Sequence, residues 1–225
     1  MKLFSWRFIR VWQRNRDVFF RLWHSEAPGF LAEPVIIASY AMFSASFECT
    51  CGSFVRMEFQ KTHDAIIATP LNVEDVTAGE IFWGATRSLM TGIVILAIAA
   101  TFKLVPSPWA LLIPIVSFLE GTMFASIALL FTSIVPAIYS FNYYFTLFIT
   151  PMFFFSGVFF PLTSFPEIVQ TLSWIAPLTP VVHLTRALIN GQFQLNLLWA
   201  LGLIVMLTIL FFSLSLVTMR RRLTA

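Results

Sequence analysis

The chain has 225 residues, 58% of them hydrophobic and only 11% charged, where an average globular protein has roughly a quarter charged. Of its 14 Lys+Arg and 11 Asp+Glu, only Glu120, Glu167 and Arg186 lie between Leu104 and Met219. That apolar excess is more than a soluble core can bury, and at about 20 residues per span it supplies five or six membrane-crossing helices. A soluble enzyme, a nucleic-acid binder and a disordered tail are thereby excluded as primary readings.

The first 23 residues carry six basic side chains and one acid, Asp17. On a helical projection Arg7, Arg10, Arg14 and Arg21 share one face, Phe8, Trp12, Phe19 and Trp23 fall roughly opposite, and Arg16 is the exception. The pattern predicts an amphipathic helix lying in the headgroup region. A solvated basic arm or the first turns of a span are the alternatives. A basic start without a clean apolar core followed by small residues argues against a cleaved signal peptide.

Four spans follow, over residues 81–104, 109–135, 139–160 and 195–219, each long enough for about 30 Å of hydrocarbon at 1.5 Å per residue. Arg220, Arg221 and Arg222 place the carboxyl terminus in the cytoplasm by the positive-inside rule. Counting back four crossings puts the loop 56–80 inside too, and the basic amino terminus belongs there as well. An even number of crossings must then fit between Arg21 and Arg56, yet residues 27–55 number only 29, where two spans and a turn need about 40. A re-entrant hairpin, an amino-terminal helix on the other side, or a missing segment each resolves this. The abrupt start of an apolar run near Val35 to Tyr40 favours the missing segment.

Within the loop 56–80, Thr69-Pro70-Leu71 breaks any helix. Asn72, with Asp75 three residues on, offers an N-cap for a helix climbing into the next span. The result is a compact protrusion suited to docking a soluble partner, or an ordinary interhelical loop. Further on, Ser164-Phe165-Pro166-Glu167 is a capping-box pattern that starts a helix running to about Ile175. Pro177 and Pro180 interrupt it, and a second helix runs from Pro180 to Asn190-Gly191. Each is about 11 residues, half a bilayer, so the pair over residues 161–191 reads as an outer re-entrant hairpin, with a surface-lying pair as the alternative.

In the span 139–160, eleven of 22 residues are Phe or Tyr, and Asn142, Thr146 and Thr150 recur every four residues beside a kink expected at Pro151. Such a stripe, with Tyr143 and Tyr144 next to it, lines a path for an amphiphile or packs against a neighbouring helix. Gly84, Ser88 and Gly92 mark close helix packing. Charges inside spans are functional candidates by default. Glu120 lies near the bilayer middle and is assigned to a substrate path or subunit interface, whereas Glu48 and Arg87 sit at one level and are predicted to pair as structure. Cys49 and Cys51 read as small buried hydrophobes. His24, His63 and His183 form no cluster with metal-ligand spacing. No lysine sits in a glycine-rich phosphate loop, so if the chain works with ATP, another chain binds the nucleotide.

The stretches 42–50 (MFSASFECT), 54–71 (FVRMEFQKTHDAIIATPL) and 141–162 (FNYYFTLFITPMFFFSGVFFPL) resemble the permease subunits of type-2 ABC exporters, within them the NodJ-like branch. The resemblance runs through most of residues 41–223. It implies an all-α integral membrane fold, a single permease domain of six spans with an amino-terminal interfacial helix and an outer re-entrant hairpin. It also implies a cytoplasmic coupling helix near Lys61 to Pro70, with Lys61, Thr62, His63, Asp64, Thr69, Pro70, Leu71 and Asn72 meeting the ATPase. Family members work as a dimer of permeases joined to two ATPase subunits that bind ATP and Mg, in the bacterial inner membrane. Between Pro34 and Ala41 they carry roughly 30 to 40 residues more, including most of the first span. The branch suggests a lipo-oligosaccharide as cargo; broader relatives move drugs, lipids or polysaccharides.

The expected function is therefore a permease, itself no enzyme, that exports an amphiphile on ATP hydrolysed by a partner. A secondary transporter or channel with Glu120 in the pathway is the rival. A membrane-embedded enzyme would need a cluster of catalytic polar groups, and the sequence offers none.

Overall fold

A computed structural model describes residues 35–60, 73–102, 104–158, 162, 165–191 and 196–224, and every regular element among them is helical. The predicted interfacial helix over residues 1–23 and the loop residues from Lys61 to Asn72 lie outside the described residues.

Helix α1, Val35–Phe47, continues without a break through π-helical turns at Glu48–Gly52 and Val55–Phe59. Residues 35–59 are thus one helix of about 37 Å, enough for a whole crossing and not a re-entrant hairpin. Helix α2, Val73–Thr101, begins eight residues before the predicted span, and Glu74 and Asp75 in its first turn complement the helix dipole. A 3-10 turn at Pro108–Leu112, capped by the Ser107 hydroxyl accepting from the Trp109 N–H at 3.3 Å, leads into α3, Ile113–Ile134. The last helix, α8, Asn196–Thr224, runs beyond the predicted end at Met219 and carries all three terminal arginines. Among the described residues three helical stretches are long and apolar enough to cross a membrane, Val73–Thr101, Pro108–Ile134 and Leu197–Arg222, and the bent pair Glu167–Ser173 and Leu178–Asn190 makes a fourth if it counts as one span.

Helix α3 is the centre of the bundle, packed against α1, α2 and α8, and most of its side chains are buried. Small residues allow this. A β-carbon at Gly84 would come within 2.6 Å of Cys49 Sγ and 3.0 Å of Ala125 Cβ. One at Gly92 would collide with Ser117, and one at Gly121 would lie 2.5 Å from Ser88 Cβ. Ser88 Oγ donates to the Ser117 carbonyl at 2.8 Å, adding a hydrogen bond across the same seam. The stripe of Gly84, Ser88 and Gly92 therefore packs as its spacing predicts.

The aromatic span differs from a simple kinked helix. A 3-10 turn at Ile138–Ser140, α4 (Phe141–Tyr143), a π-helical stretch Tyr144–Ile149 and α5 (Thr150–Phe155) follow one another with helical backbone. Pro151 removes the N–H that would close onto residue 147, and the widened π turn just upstream absorbs the defect. Thr150 Oγ1 accordingly donates to the Phe145 carbonyl, five residues back, at 2.9 Å.

Beyond Gly157, whose φ of +79° ends this run, come α6, Glu167–Ser173, and α7, Leu178–Asn190, bent 94° to each other. Pro166 occupies the N-cap of α6 with no side-chain cap among the described residues, Ser164 of the predicted capping box lying outside them, and α6 ends at Ser173 where an end near Ile175 is expected. Helix α7 starts two residues earlier than predicted because Pro180 fits a first turn that needs no N–H there. It ends at Gly191 in the left-handed conformation, φ +68°, as the glycine signal indicates. Most of α7 is buried against α8, α1 and α3, whereas α6 exposes Ile168 and Leu172, and Ile175 is exposed in the turn after it.

Candidate functional site

Charge is concentrated where α1 ends, α2 begins and α8 finishes. Arg56 forks onto Glu80, with Nε donating to Oε1 at 2.9 Å and Nη2 to Oε2 at 2.5 Å, while its Nη1 donates to Glu48 Oε1 at 2.8 Å. Trp83 Nε1 donates to the same Glu48 oxygen at 3.0 Å. Arg87 Nε stands 3.7 Å from Glu48 Oε2, so the short contacts to Glu48 come from Arg56 and Trp83. Bidentate Arg–carboxylate pairs are among the stronger polar links, and the lower side of this one is half shielded, with Glu48 and Glu80 side chains 13% exposed. Cys49, buried, donates its thiol to the Glu80 carbonyl at 3.4 Å, and Cys51 is half-buried and also free.

The last turn of α8 joins the same collar. Arg220 Nη1 lies 3.1 Å from Glu74 Oε1, an exposed pair worth little by itself. Arg222 does more: Nη1 donates to the Thr132 carbonyl and, at 2.8 Å, to the Val135 carbonyl, satisfying the end of α3. Its Nη2 donates to Glu58 at 2.9 Å, and its guanidinium sits 5.8 Å from the Phe54 ring centroid. Residues 61–72, which hold the predicted coupling positions, are strung between two helices whose ends these pairs tie together. Arg56, Glu80 and Trp83 were not singled out as contacts by sequence pattern, and Arg222 was read only as one of three topology-setting arginines. The one available signal was the eight-residue interval from Glu48 to Arg56, about two helical turns.

The aromatic span presents two faces. Asn142, Tyr143, Thr146 and Thr150 are exposed on the outside of this single chain, Tyr143 at 65%. Tyr144 instead points inward, its hydroxyl 3.4 Å from Ser46 Oγ and its ring against Phe131, Phe145 and Phe148. Tyr144 thus separates from the stripe. Between this helix and α6 a groove of about 460 Å³ is lined by Leu147, Phe148, Pro151, Met152, Ile175 and neighbouring apolar side chains, with Ser173 its one hydroxyl. Arg186 Nη2 donates to the Gly157 carbonyl at 3.1 Å, fastening α7 to the end of the same span.

Glu120 is 1% exposed, and neither carboxylate oxygen has a hydrogen-bond partner among the described residues. A carboxylate buried in that way is costly. His183 packs beside the Trp174 ring, 5.8 Å between centroids, and no group of His, Cys, Asp and Glu with metal-binding geometry occurs among the described residues.

A helical bundle around a small-residue seam, with apolar spans and a charged collar at one end, marks a multi-pass membrane protein. The chain belongs to the ABC-2 type transporter family, whose description matches residues 15–190. It is 32% identical to nodulation protein J of Sinorhizobium fredii over 80% of each chain, and 30% identical to nodulation protein J of Rhizobium meliloti over 97% of this chain and 95% of the relative. It is 24% identical to the inner membrane transport permease YadH of Escherichia coli over 82% of this chain and 70% of that one. No solved structure matches it significantly.

The alignment lengths bear on the crowded stretch before Arg56. The Rhizobium meliloti match runs over 251 positions but takes in 97% of 225 residues, about 218, so about 33 positions of the relative face nothing here. The YadH match runs over 185 positions for 82% of the chain, about 185 residues, with no such gap.

Proposed function

We propose that this chain is the membrane-spanning permease subunit of an ATP-driven exporter that moves an amphiphile across the bacterial inner membrane, with hydrolysis on a separate ATPase subunit. The observation that carries the reading is the collar. Arg56 bound to Glu48 and Glu80 makes the end of α1 and the start of α2 one mechanical unit on either side of residues 61–72. A push on that segment by a closing nucleotide-binding partner then moves two spans together, and Arg222 passes the displacement to α3 and α8. Lys61, Thr62, His63, Asp64, Thr69, Pro70, Leu71 and Asn72 are the docking residues in this scheme.

A second permease copy completes the transporter. Asn142, Tyr143, Thr146 and Thr150 form an exposed polar and aromatic stripe that faces the path or the twin subunit, and the adjacent apolar groove suits the acyl part of an amphiphile. The matches to nodulation protein J favour a lipo-oligosaccharide within that class. The complex contains two ATPase subunits with ATP and Mg on them and a homodimer of this chain, with nominally six spans per permease, the first of them incomplete in this chain. The carboxyl terminus is cytoplasmic. The amino terminus is cytoplasmic as well in the six-crossing form, with residues 1–23 lying along the membrane and residues 161–191 re-entering it from outside.

The test is co-expression with an ATP-binding cassette subunit from the same genome. Co-purification, and loss of substrate-stimulated hydrolysis when residues 69–72 are replaced by alanine, is the expected result. Transport in liposomes without any ATPase overturns the reading and favours a secondary transporter, for which Glu120, without a hydrogen-bond partner among the described residues, is the one specific observation.

A further inference from the structure

The three arginines that close α8 have different surroundings. Arg220 meets Glu74, and Arg222 meets Glu58 and the end of α3. Arg221, between them, is exposed and has no carboxylate within ion-pair distance among the described residues. It faces an open cavity of about 460 Å³ between the last turn of α8 and the turn that follows α3, lined also by Ser133, Ile134, Pro136, Thr218 and Arg222. The wall therefore combines one unneutralised guanidinium with exposed apolar surface at Ile134, 71% exposed, and Pro136.

The hydroxyls in the wall are not free donors. Ser133 Oγ donates to the Leu130 carbonyl, and Thr218 Oγ1 to the Leu214 carbonyl. Arg222 spends both Nη1 protons on carbonyls and one Nη2 proton on Glu58. The donors left for a ligand are the planar fork of Arg221 and the remainder of Arg222, a set that suits an anionic phosphate and offers nothing to a cation. Apolar surface beside the fork suits the glycerol and first methylenes of a lipid better than a free anion.

We propose that this cavity binds the phosphate headgroup of an anionic phospholipid of the cytoplasmic leaflet, with Arg221 supplying the charge. The placement in that leaflet rests on the cytoplasmic carboxyl terminus of the functional reading; the headgroup chemistry does not need the ATPase. A lipid held there bridges α8 and the end of α3, the two helices that Arg222 already links.

The full chain, purified in a neutral detergent, is titrated with phosphatidylglycerol or phosphatidylcholine and the bound lipid is counted by native mass spectrometry. Phosphatidylglycerol binds in preference to phosphatidylcholine, and R221Q weakens it by about fivefold, the size expected for one interfacial arginine. R220Q, which removes an equal charge from the same turn, changes it by less than about twofold. Arg221 has no side-chain hydrogen bond or ion pair among the described residues, so R221Q melts at the wild-type temperature. Equal loss in R220Q and R221Q, or equal binding of the two lipids, overturns the proposal. Displacement of phosphatidylglycerol by excess inorganic phosphate, with the same dependence on Arg221, assigns the site to free phosphate and also overturns it. Because no ATPase is present, failure here leaves the transport reading standing, and failure of co-purification leaves this one standing.

Discussion

Arg56 and Glu80, 24 residues apart in sequence, meet through two parallel hydrogen bonds, and the third arm of the same guanidinium holds Glu48. One side chain thus joins α1 to α2 across the segment that the proposed ATPase would push. Breaking a fully buried pair costs about 3–5 kcal/mol; with the Arg56 side chain 26% exposed, solvent screening reduces the expectation to about 1–3 kcal/mol. R56A and E80A each lower the thermal midpoint in detergent, and R56A/E80A lowers it by less than their sum because they share one interaction. R56K keeps the charge but loses the fork, so it falls between wild type and R56A. Additive losses would remove the pair from the coupling scheme.

The packing seam makes a second, two-sided expectation. Gly84, Gly92 and Gly121 have no room for a β-carbon, whereas Gly79 and Gly202 have open space around theirs. G92V or G121V pushes α2 from α3 and lowers stability by about 1–3 kcal/mol or more. G79A and G202A, in helix interiors, raise it by about 0.5–1 kcal/mol. Thermal unfolding followed by circular dichroism separates the two groups; a harmless G121V would mean that the α2–α3 contact is looser than described.

How much of this was legible before the structure depends on the range of the interaction. The apolar run of α3, the Gly84-Ser88-Gly92 stripe and the glycine stop after Asn190 are local patterns, and each appears where its spacing puts it. The π turn ahead of Pro151 was not legible, because proline predicts a lost hydrogen bond and not how the neighbouring turns absorb it. Glu48 and Arg87 could be levelled by counting residues along two helices. Which of Arg56 and Arg87 reaches Glu48 more closely depends on helix rotation, which counting does not supply. Tyr144 was grouped with Tyr143 by adjacency alone, and a helix sends adjacent side chains about 100° apart, here one inward and one outward.

Glu120 offers a test that separates structure from function. Its oxygens have no partner among the described residues, so E120Q removes a charge-bearing group without changing its shape and relieves a buried liability. The expected outcome is a thermal midpoint at or above wild type together with reduced transport in proteoliposomes that contain the ATPase. Such a split is the mark of a group retained for activity at a cost in stability. Full transport by E120Q would leave Glu120 without a role in the path.

The exposed stripe predicts a crosslinking pattern. In a background with Cys49 and Cys51 replaced by alanine, Tyr143→Cys and Thr146→Cys each form a covalent dimer under mild oxidation, since both positions are exposed on the face assigned to the twin subunit. Tyr144→Cys does not, because that side chain is buried against Phe131 and Ser46 within its own chain. Dimers from all three, or from none, would move the interface away from the aromatic span.

The arrangement of crossings gives the most direct test of the stretch before Arg56. Residues 35–59 form one continuous helix of crossing length, and in the proposed arrangement this helix, α2, α3, the aromatic span and α8 make five crossings. Five crossings leave Val35 on the side opposite Arg220, Arg221 and Arg222. Returning the basic arm to the arginine side within residues 24–34 would need about 30 Å from a segment that reaches about 16 Å as a helix. The nodulation protein J relatives carry about 33 positions more, enough for most of one span and a turn. A cysteine introduced at Ser5 is therefore expected to react with a membrane-impermeant maleimide from outside in this chain, against the pull of six basic residues. Inserting the relative's additional segment ahead of Val35 should reverse the labelling and raise the yield of assembled permease. If Ser5→Cys is protected without the insertion, residues 35–59 do not make a full crossing, and the six-span arrangement has to be built from this chain in another way.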